Sequence, residues 1–156
     1  PVLLGHSDGG TIALLHASQH TVAACIVMAP HVMVEDISVS AITAARQAYE
    51  HGPLRQRLAP FHAHVDCAFW QWNDVWLSEA FRAFDIRDEL KGIEAPLLAL
   101  QGEDDPYGTM AQIDDIARQV PHAQLLKIPS CGHSPHKDAP EAVARAIGAF
   151  VGTLRA

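Results

Sequence analysis

Three side chains that together can draw a proton out of a hydroxyl lie far apart in this chain. Ser7 stands in Gly5-His6-Ser7-Asp8-Gly9, Asp105 in Gly102-Glu103-Asp104-Asp105-Pro106, and His133 in Cys131-Gly132-His133. A serine Oγ is a poor nucleophile until a base takes its proton, and a neutral imidazole titrating near neutrality can do that and later return the proton to a leaving group. A carboxylate behind the imidazole fixes its tautomer and stabilises the imidazolium that forms. The backbone N–H of Asp8, one residue past the serine, is the expected donor to an oxyanion. Each assignment has a rival. Asp104 competes with Asp105, and His136 with His133, although the preceding glycine and the position just past a strand favour His133.

The chain around these residues reads as alternating strand and helix. Val2–Leu4 is a short apolar run that breaks at Gly5-His6-Ser7-Asp8-Gly9, and a helical pattern starts at Thr11. Strand, tight turn and helix in that order are the setting in which G-x-S-x-G marks a nucleophile elbow, with the flanking glycines expected to remove Cβ atoms that would clash there. Such a strand is expected to be central in its sheet. Cys25–Ala29 and Leu97–Leu100, the latter closed by Gln101, are apolar runs typical of parallel strands covered on both faces. Gln124–Ile128 is a further strand, followed by the loop that carries His133. Thr109 with Gln112 has the spacing of a capping box ahead of a helix whose apolar face is Ile113, Ile116, Ala117 and Val120. Asp138 and Glu141 are expected to cap a last helix with Val143, Ile147, Phe150 and Leu154 on its inner face. The class is therefore α/β, with a mostly parallel sheet and helices on both faces. In an open parallel sheet, reactive groups belong on the loops after the carboxyl ends of strands, which is where Ser7, Asp105 and His133 fall.

Residues 35–90 change character. Ile42, Ala45 and Tyr49 share a helical face, Gly52-Pro53 is a stop signal, and Val65, Phe69, Trp72 and Trp76 form a stripe at helical spacing, with Ser78 a candidate N-cap after it. Seven of the ten aromatic residues lie between Phe61 and Phe84, so this stretch concentrates the bulky apolar surface. The expected organisation is a core of residues 1–34 and 91–156 interrupted by a helical insertion, 35–90.

With 156 residues, 49% of them apolar, the chain can bury a real core, and its net charge of −7 argues against nucleic acid or an anionic membrane as a partner. No apolar run approaches membrane-spanning length. Three widely spaced cysteines, Cys25, Cys67 and Cys131, suit a reducing compartment, so a cytoplasmic location is expected.

The motifs Gly5-His6-Ser7-Asp8-Gly9-Gly10, Gly102-Glu103-Asp104-Asp105 and Cys131-Gly132-His133, in this order, resemble the signatures of the α/β-hydrolase fold superfamily. Within it, the Ser-Asp-Gly-Gly elbow is similar to the branch of valacyclovir hydrolase and biphenyl hydrolase-like serine esterases. The resemblance implies a catalytic triad of Ser7, Asp105 and His133, its spacing from Gly102 choosing Asp105 over Asp104. It also implies a helical cap at 35–90, and a chain that covers only the C-terminal part of the fold. The expected activity is hydrolysis of a carboxylic ester, or an amide or amino acid ester, through a serine-acyl intermediate with no cofactor. Carbon–carbon bond hydrolysis or acyl transfer to another acceptor are the alternatives within the fold.

Other candidate contacts are weaker. His6 and Asp8 flank the nucleophile, and Phe69, Trp72 and Trp76 could line an acyl or aryl pocket or simply form core. The Asp8 carboxylate could pair with a substrate ammonium or complement the following helix N-terminus. His62-x-His64 with Asp66 is the best metal candidate, but positions two apart do not share a helix face and no zinc-type spacing completes it, so no metal site is expected. Without earlier strands, Val2–Leu4 would expose an unpaired, apolar edge. The remaining expectation is therefore an incomplete catalyst whose sheet is finished by an N-terminal half of the fold or by a second copy.

Overall fold

The computed structural model describes residues 1–154. They form two compact units, one of residues 1–33 with 85–154 and the other Val34–Phe84.

The first unit is built on strands β1 (Val2–His6), β2 (Ala24–Met28), β3 (Leu97–Gly102) and β4 (Gln124–Ile128), which form a parallel sheet in the order β1-β2-β3-β4. The registers are Leu4 opposite Ile26, Ile26 opposite Leu98, and Leu100 opposite Leu126. Every residue of β2 and β3 is buried, as expected of strands covered on both faces. Ala24, Ile26, Met28, Leu98 and Leu100 share a cluster with Val143 and Phe150 of helix α7 (Pro140–Thr153). The alternate residues Cys25, Val27, Leu97 and Ala99 are equally buried. Helix α1 (Asp8–Gln19) lies against β1 and β2, and α5 (Ala111–Gln119) against β3 and β4; they bring Leu14, Ala17, Ile113 and Ile116 into the interior. β1 is not central: among the described residues it is an edge strand paired only with β2, and Val2, Leu4 and nearby Ile12 are 46%, 57% and 66% exposed.

Residues 85–90, assigned to the insertion on sequence grounds, sit with the first unit. Ile86 N–H donates to Val32 O (2.8 Å), and Leu90 is fully buried in a 3-10 turn, Glu89–Gly92, that packs on α1. That packing is tertiary, so helical periodicity alone could not place the boundary.

The second unit contains helices α2 (Asp36–His51), α3 (Leu54–Leu58) and α4 (Val65–Leu77) with short 3-10 turns. Tyr49, Val65 and Phe69 form its centre, flanked by Leu54, Leu58, Trp70 and Trp72. Inside it, Asn73 is fully buried, donating to Ile42 O (3.1 Å) and accepting from Arg46 Nε (2.7 Å). Ser78 follows α4 and its Oγ accepts from Phe81 N–H (3.2 Å), although the N-cap of the next 3-10 turn, Ala80–Ala83, is Glu79.

Two further capping expectations change. Helix α5 starts at Ala111, and its capping box forms only in part: Thr109 Oγ1 accepts from Ala111 N–H (3.2 Å), whereas the Gln112 side chain turns inward, its Oε1 accepting from Val32 N–H (2.7 Å) and its Nε2 donating to Met33 O (3.1 Å). The buried backbone N–H of Val32 and C=O of Met33, beside a single antiparallel bridge from Met33 to Asp85, outcompete the helix end for that amide. Likewise Ala139, not Asp138, is the N-cap of α7, and Asp138 is drawn into the loop carrying His133.

Candidate active site

In a parallel sheet the carboxyl ends of all strands meet on one rim. β1 ends directly in Ser7, whose backbone is strained at φ 55°, ψ −127°. The strain is held in place by Ser7 N–H donating to Met28 O (2.9 Å) and by Ser7 O accepting from Gly10 N–H (2.8 Å) and Thr11 N–H (3.2 Å). The turn is so tight that a Cβ on Gly5 would lie 2.2 Å from Gly9 O, whereas a Cβ on Gly9 would meet nothing within 4 Å. Only the first of the two motif glycines is therefore required sterically. Ala29 and Ser130, just past β2 and β4, also have positive φ (46° and 52°), so strand exits on this rim turn sharply.

Gly102 is the last residue of β3 and leads into the loop that carries Asp105. A Cβ at Gly102 would lie 2.1 Å from Cys131 O, which is how closely this loop approaches the one bearing His133. Asp104 N–H donates to Cys131 O (3.0 Å) and Glu103 N–H to Ile128 O (2.9 Å), joining the two loops through backbone. Asp105 is buried, and its Oδ1 accepts from Tyr107 N–H (2.8 Å). Fully enclosed Gln101, at the end of β3, donates from Nε2 to Gly108 O (2.9 Å) and Thr109 O (3.2 Å), shaping the rest of this loop. Asp138, the last residue of the short helix α6 (Pro135–Asp138), accepts at Oδ2 from Gly132 N–H (3.0 Å).

These loops bring the three side chains together. His133 Nδ1–H donates to Asp105 Oδ2 (2.9 Å) and Oδ1 (3.0 Å), and Ser7 Oγ–H donates to His133 Nε2 (2.9 Å). The Asp105 side chain is 1% exposed and that of His133 18%, so the carboxylate is sequestered while the imidazole edge remains open to a reactant. With Asp105 accepting at Nδ1, Nε2 carries the lone pair that the hydroxyl proton needs. Asp104, by contrast, is an exposed turn residue, and His136 is exposed with its ring edge-on to His6 at 4.8 Å.

The other candidates separate. Asp8 is the first residue of α1, and its N–H is at the start of the helix beside Ser7. His6 is half-buried and hydrogen-bonded to His133 O (Nε2 to O, 2.7 Å); burial holds its pKa below the ordinary imidazole value. Phe69 and Trp76 are buried within the helical unit, Phe69 stacked on Tyr49 at 3.7 Å and Trp76 against Phe81 at 5.0 Å. Trp72, half-buried, packs on Phe69. Asp66 accepts from Tyr49 Oη (2.7 Å) and from Arg55 Nε and Nη2 (2.8 and 2.6 Å), which accounts for it as part of an ion pair.

Sequence reading missed Tyr107 and His31, whose rings lie 4.7 Å and 5.8 Å from that of His133, and the bracing by Gln101 and Asp138. Gln101 had a readable signal, a polar residue closing an apolar strand run. The others depend on loop contacts between distant segments.

The sequence model of the alpha/beta hydrolase family matches residues 1–146. The chain belongs to that family. Among curated relatives of this hydrolase family, a pimeloyl-[acyl-carrier protein] methyl ester esterase of Nitrosomonas europaea is 33% identical over 57 residues, covering 36% of this chain and 23% of that protein. Among solved structures, a protein of Acinetobacter baumannii AYE taken to be a lipase superposes with a TM-score of 0.80 at 19% identity, covering 99% of this chain and 61% of that one. A serine hydrolase involved in carbazole degradation gives a TM-score of 0.74 at 20% identity, covering 97% and 63%. At these identities the structural likenesses speak to the fold. This alpha/beta hydrolase chain thus spans about a quarter of the esterase it matches and about three fifths of these structures. Among the described residues no helix is long and apolar enough to cross a membrane.

Proposed function

We propose that the chain carries the acyl-transfer centre of a serine hydrolase acting on a carboxylic ester of a small molecule. The observation that supports this is the unbroken chain of hydrogen bonds from the Ser7 hydroxyl through His133 to the buried Asp105 carboxylate. In this reading Ser7 Oγ attacks the ester carbonyl carbon as its proton passes to His133 Nε2. The tetrahedral oxyanion faces the Asp8 N–H at the N-terminus of α1, where the helix dipole favours negative charge. His133 then gives the proton to the departing alkoxide, leaving an acyl-Ser7 ester. Water, deprotonated by the same imidazole, releases the acid, while Asp105 offsets the transient imidazolium charge throughout.

The match to a methyl ester esterase favours an ester over a carbon–carbon bond. Val34–Phe84 is read as the cap insertion of the fold. Because β1 is an open apolar edge, the sheet in this reading is finished by further strands of the same fold, which also bring the second oxyanion donor. The free thiols Cys25, Cys67 and Cys131 favour a cytoplasmic setting.

A fluorophosphonate probe tests the centre. It labels the protein at Ser7, and Ser7→Ala abolishes labelling. Labelling that survives this substitution assigns the nucleophile elsewhere and ends the proposal.

A further inference from the structure

β1 and β4 are separated by two strands, so at about 4.8 Å per strand spacing the strands that deliver Ser7 and His133 run roughly 14 Å apart. Sheet hydrogen bonds alone therefore do not set the separation of the two reacting groups; the loops do. The loop bearing His133 is tied through backbone to the loop of Asp105, which follows β3, and through Gly132 N–H to Asp138, and neither of these ties reaches β1. Towards β1 it meets His6, the residue covalently preceding Ser7. A carbonyl oxygen can only accept, so the 2.7 Å contact requires His6 to carry its proton on Nε2 and donate it to His133 O.

We propose that His6 is a positioning residue that sets the distance between nucleophile and base by gripping the main chain of His133. This rests on the serine hydrolase reading above. Residue 133 is held at three atoms: Nδ1 by Asp105, Nε2 by Ser7 and the carbonyl oxygen by His6. The bond at Nε2 breaks each time the proton moves. The bond at Nδ1 orients the ring without fixing how far residue 133 lies from the elbow. The bond from His6 is made to an atom that takes no part in proton transfer, so it persists through both half-reactions. Being one residue from Ser7, it carries any displacement of the elbow to the imidazole and keeps the two in step. The His6 ring is itself steadied, packed 4.8 Å from the His136 ring and 5.1 Å from that of His133. Half-buried and neutral, it adds no second positive charge beside the imidazolium. His6 is thus occupied with the fold of the site, in place of the substrate contact that its position beside the nucleophile suggests.

Two substitutions separate this role from the alternatives. His6→Phe keeps a ring against His136 but removes the donor; His6→Gln keeps an N–H donor at similar reach. With p-nitrophenyl acetate as probe, His6→Phe lowers kcat roughly tenfold or more with KM little changed, since a displacement on the order of 1 Å is costly in rate. The rate of phosphonylation by the fluorophosphonate falls in parallel, and His6→Gln recovers most of both. Wild-type rates in His6→Phe overturn the proposal, as does a raised KM at unchanged kcat, which marks a substrate contact. If His6→Phe does not fold, nitrogen-15 spectra of the histidines in the unsubstituted protein decide: His6 protonated on Nε2 supports the grip, and protonation on Nδ1 alone overturns it. This readout does not depend on turnover. Failure of the hydrolase reading shows separately, as absence of Ser7 labelling in the unsubstituted protein.

Discussion

At the scale of single residues, the site depends on two kinds of constraint, one electrostatic and one steric. Asp105 is buried and accepts from both His133 and Tyr107 N–H, so it acts by holding a charge and a tautomer in place. Asp105→Asn keeps the shape but presents an amide that can donate where the imidazole must also donate, and the lone pair moves away from Nε2. We expect kcat on p-nitrophenyl acetate to fall by about four orders of magnitude with the fold intact by circular dichroism; a loss of tenfold or less would remove Asp105 from this role. The steric constraint predicts an asymmetry between the motif glycines. In Gly5→Ala the new methyl overlaps backbone at Gly9, 2.2 Å away, and the elbow must open, costing about 3 kcal/mol or more in urea unfolding. Gly9→Ala meets open space inside helix α1 at an ordinary φ, so it raises stability by up to about 1 kcal/mol.

At the scale of elements, polar side chains join segments that secondary structure leaves unconnected. Gln112 anchors the chain after β2, Asp138 and His6 anchor the loop of His133, and Arg55, Asp66 and Tyr49 tie α3, α4 and α2 of the helical unit together. The last of these gives a pH prediction. Hydrogen bonds from Arg55, then from Tyr49, hold the Asp66 carboxyl down at about 2, against about 3.9 in an unfolded chain. A depressed folded value means that its contribution to stability is fully present above the unfolded value and is lost as the pH falls from about 4 towards 2. All three tryptophans, Trp70, Trp72 and Trp76, lie in α4, so tryptophan fluorescence reports this unit. Asp66→Asn should flatten the acid dependence of its urea midpoint between pH 4 and 2, and an unchanged slope would show that the carboxylate contributes nothing there.

At the scale of the whole molecule, the open edge of β1 has the largest consequence. Its outward N–H and C=O groups and the exposed Val2, Leu4 and Ile12 make a template for another strand. Prepared as these 156 residues, the chain should self-associate with a mass that rises with concentration in sedimentation, and Leu4→Lys should shift it towards monomer by placing a charge on that edge. A concentration-independent monomer for the unsubstituted chain would show that the edge is not adhesive. The relatives that this chain matches are longer than it is, and the proposed remedy for the edge is further strands of the same fold.

The amino-acid sequence by itself determined the parallel α/β class, because fully apolar strand runs alternating with amphipathic helices have few other ways to bury both faces. It also singled out Ser7, Asp105 and His133, since strand ends followed by glycine-bearing turns can be recognised locally. Only tertiary structure decided that Asp138 and Gln112 leave their helix ends, that residues 85–90 return to the sheet unit, and that His6 turns to the backbone of His133. Each of these is a choice between a local hydrogen-bond partner and a distant one. A sequence displays the local partner, whereas the distant partner exists only after the sheet has brought the loops to one rim.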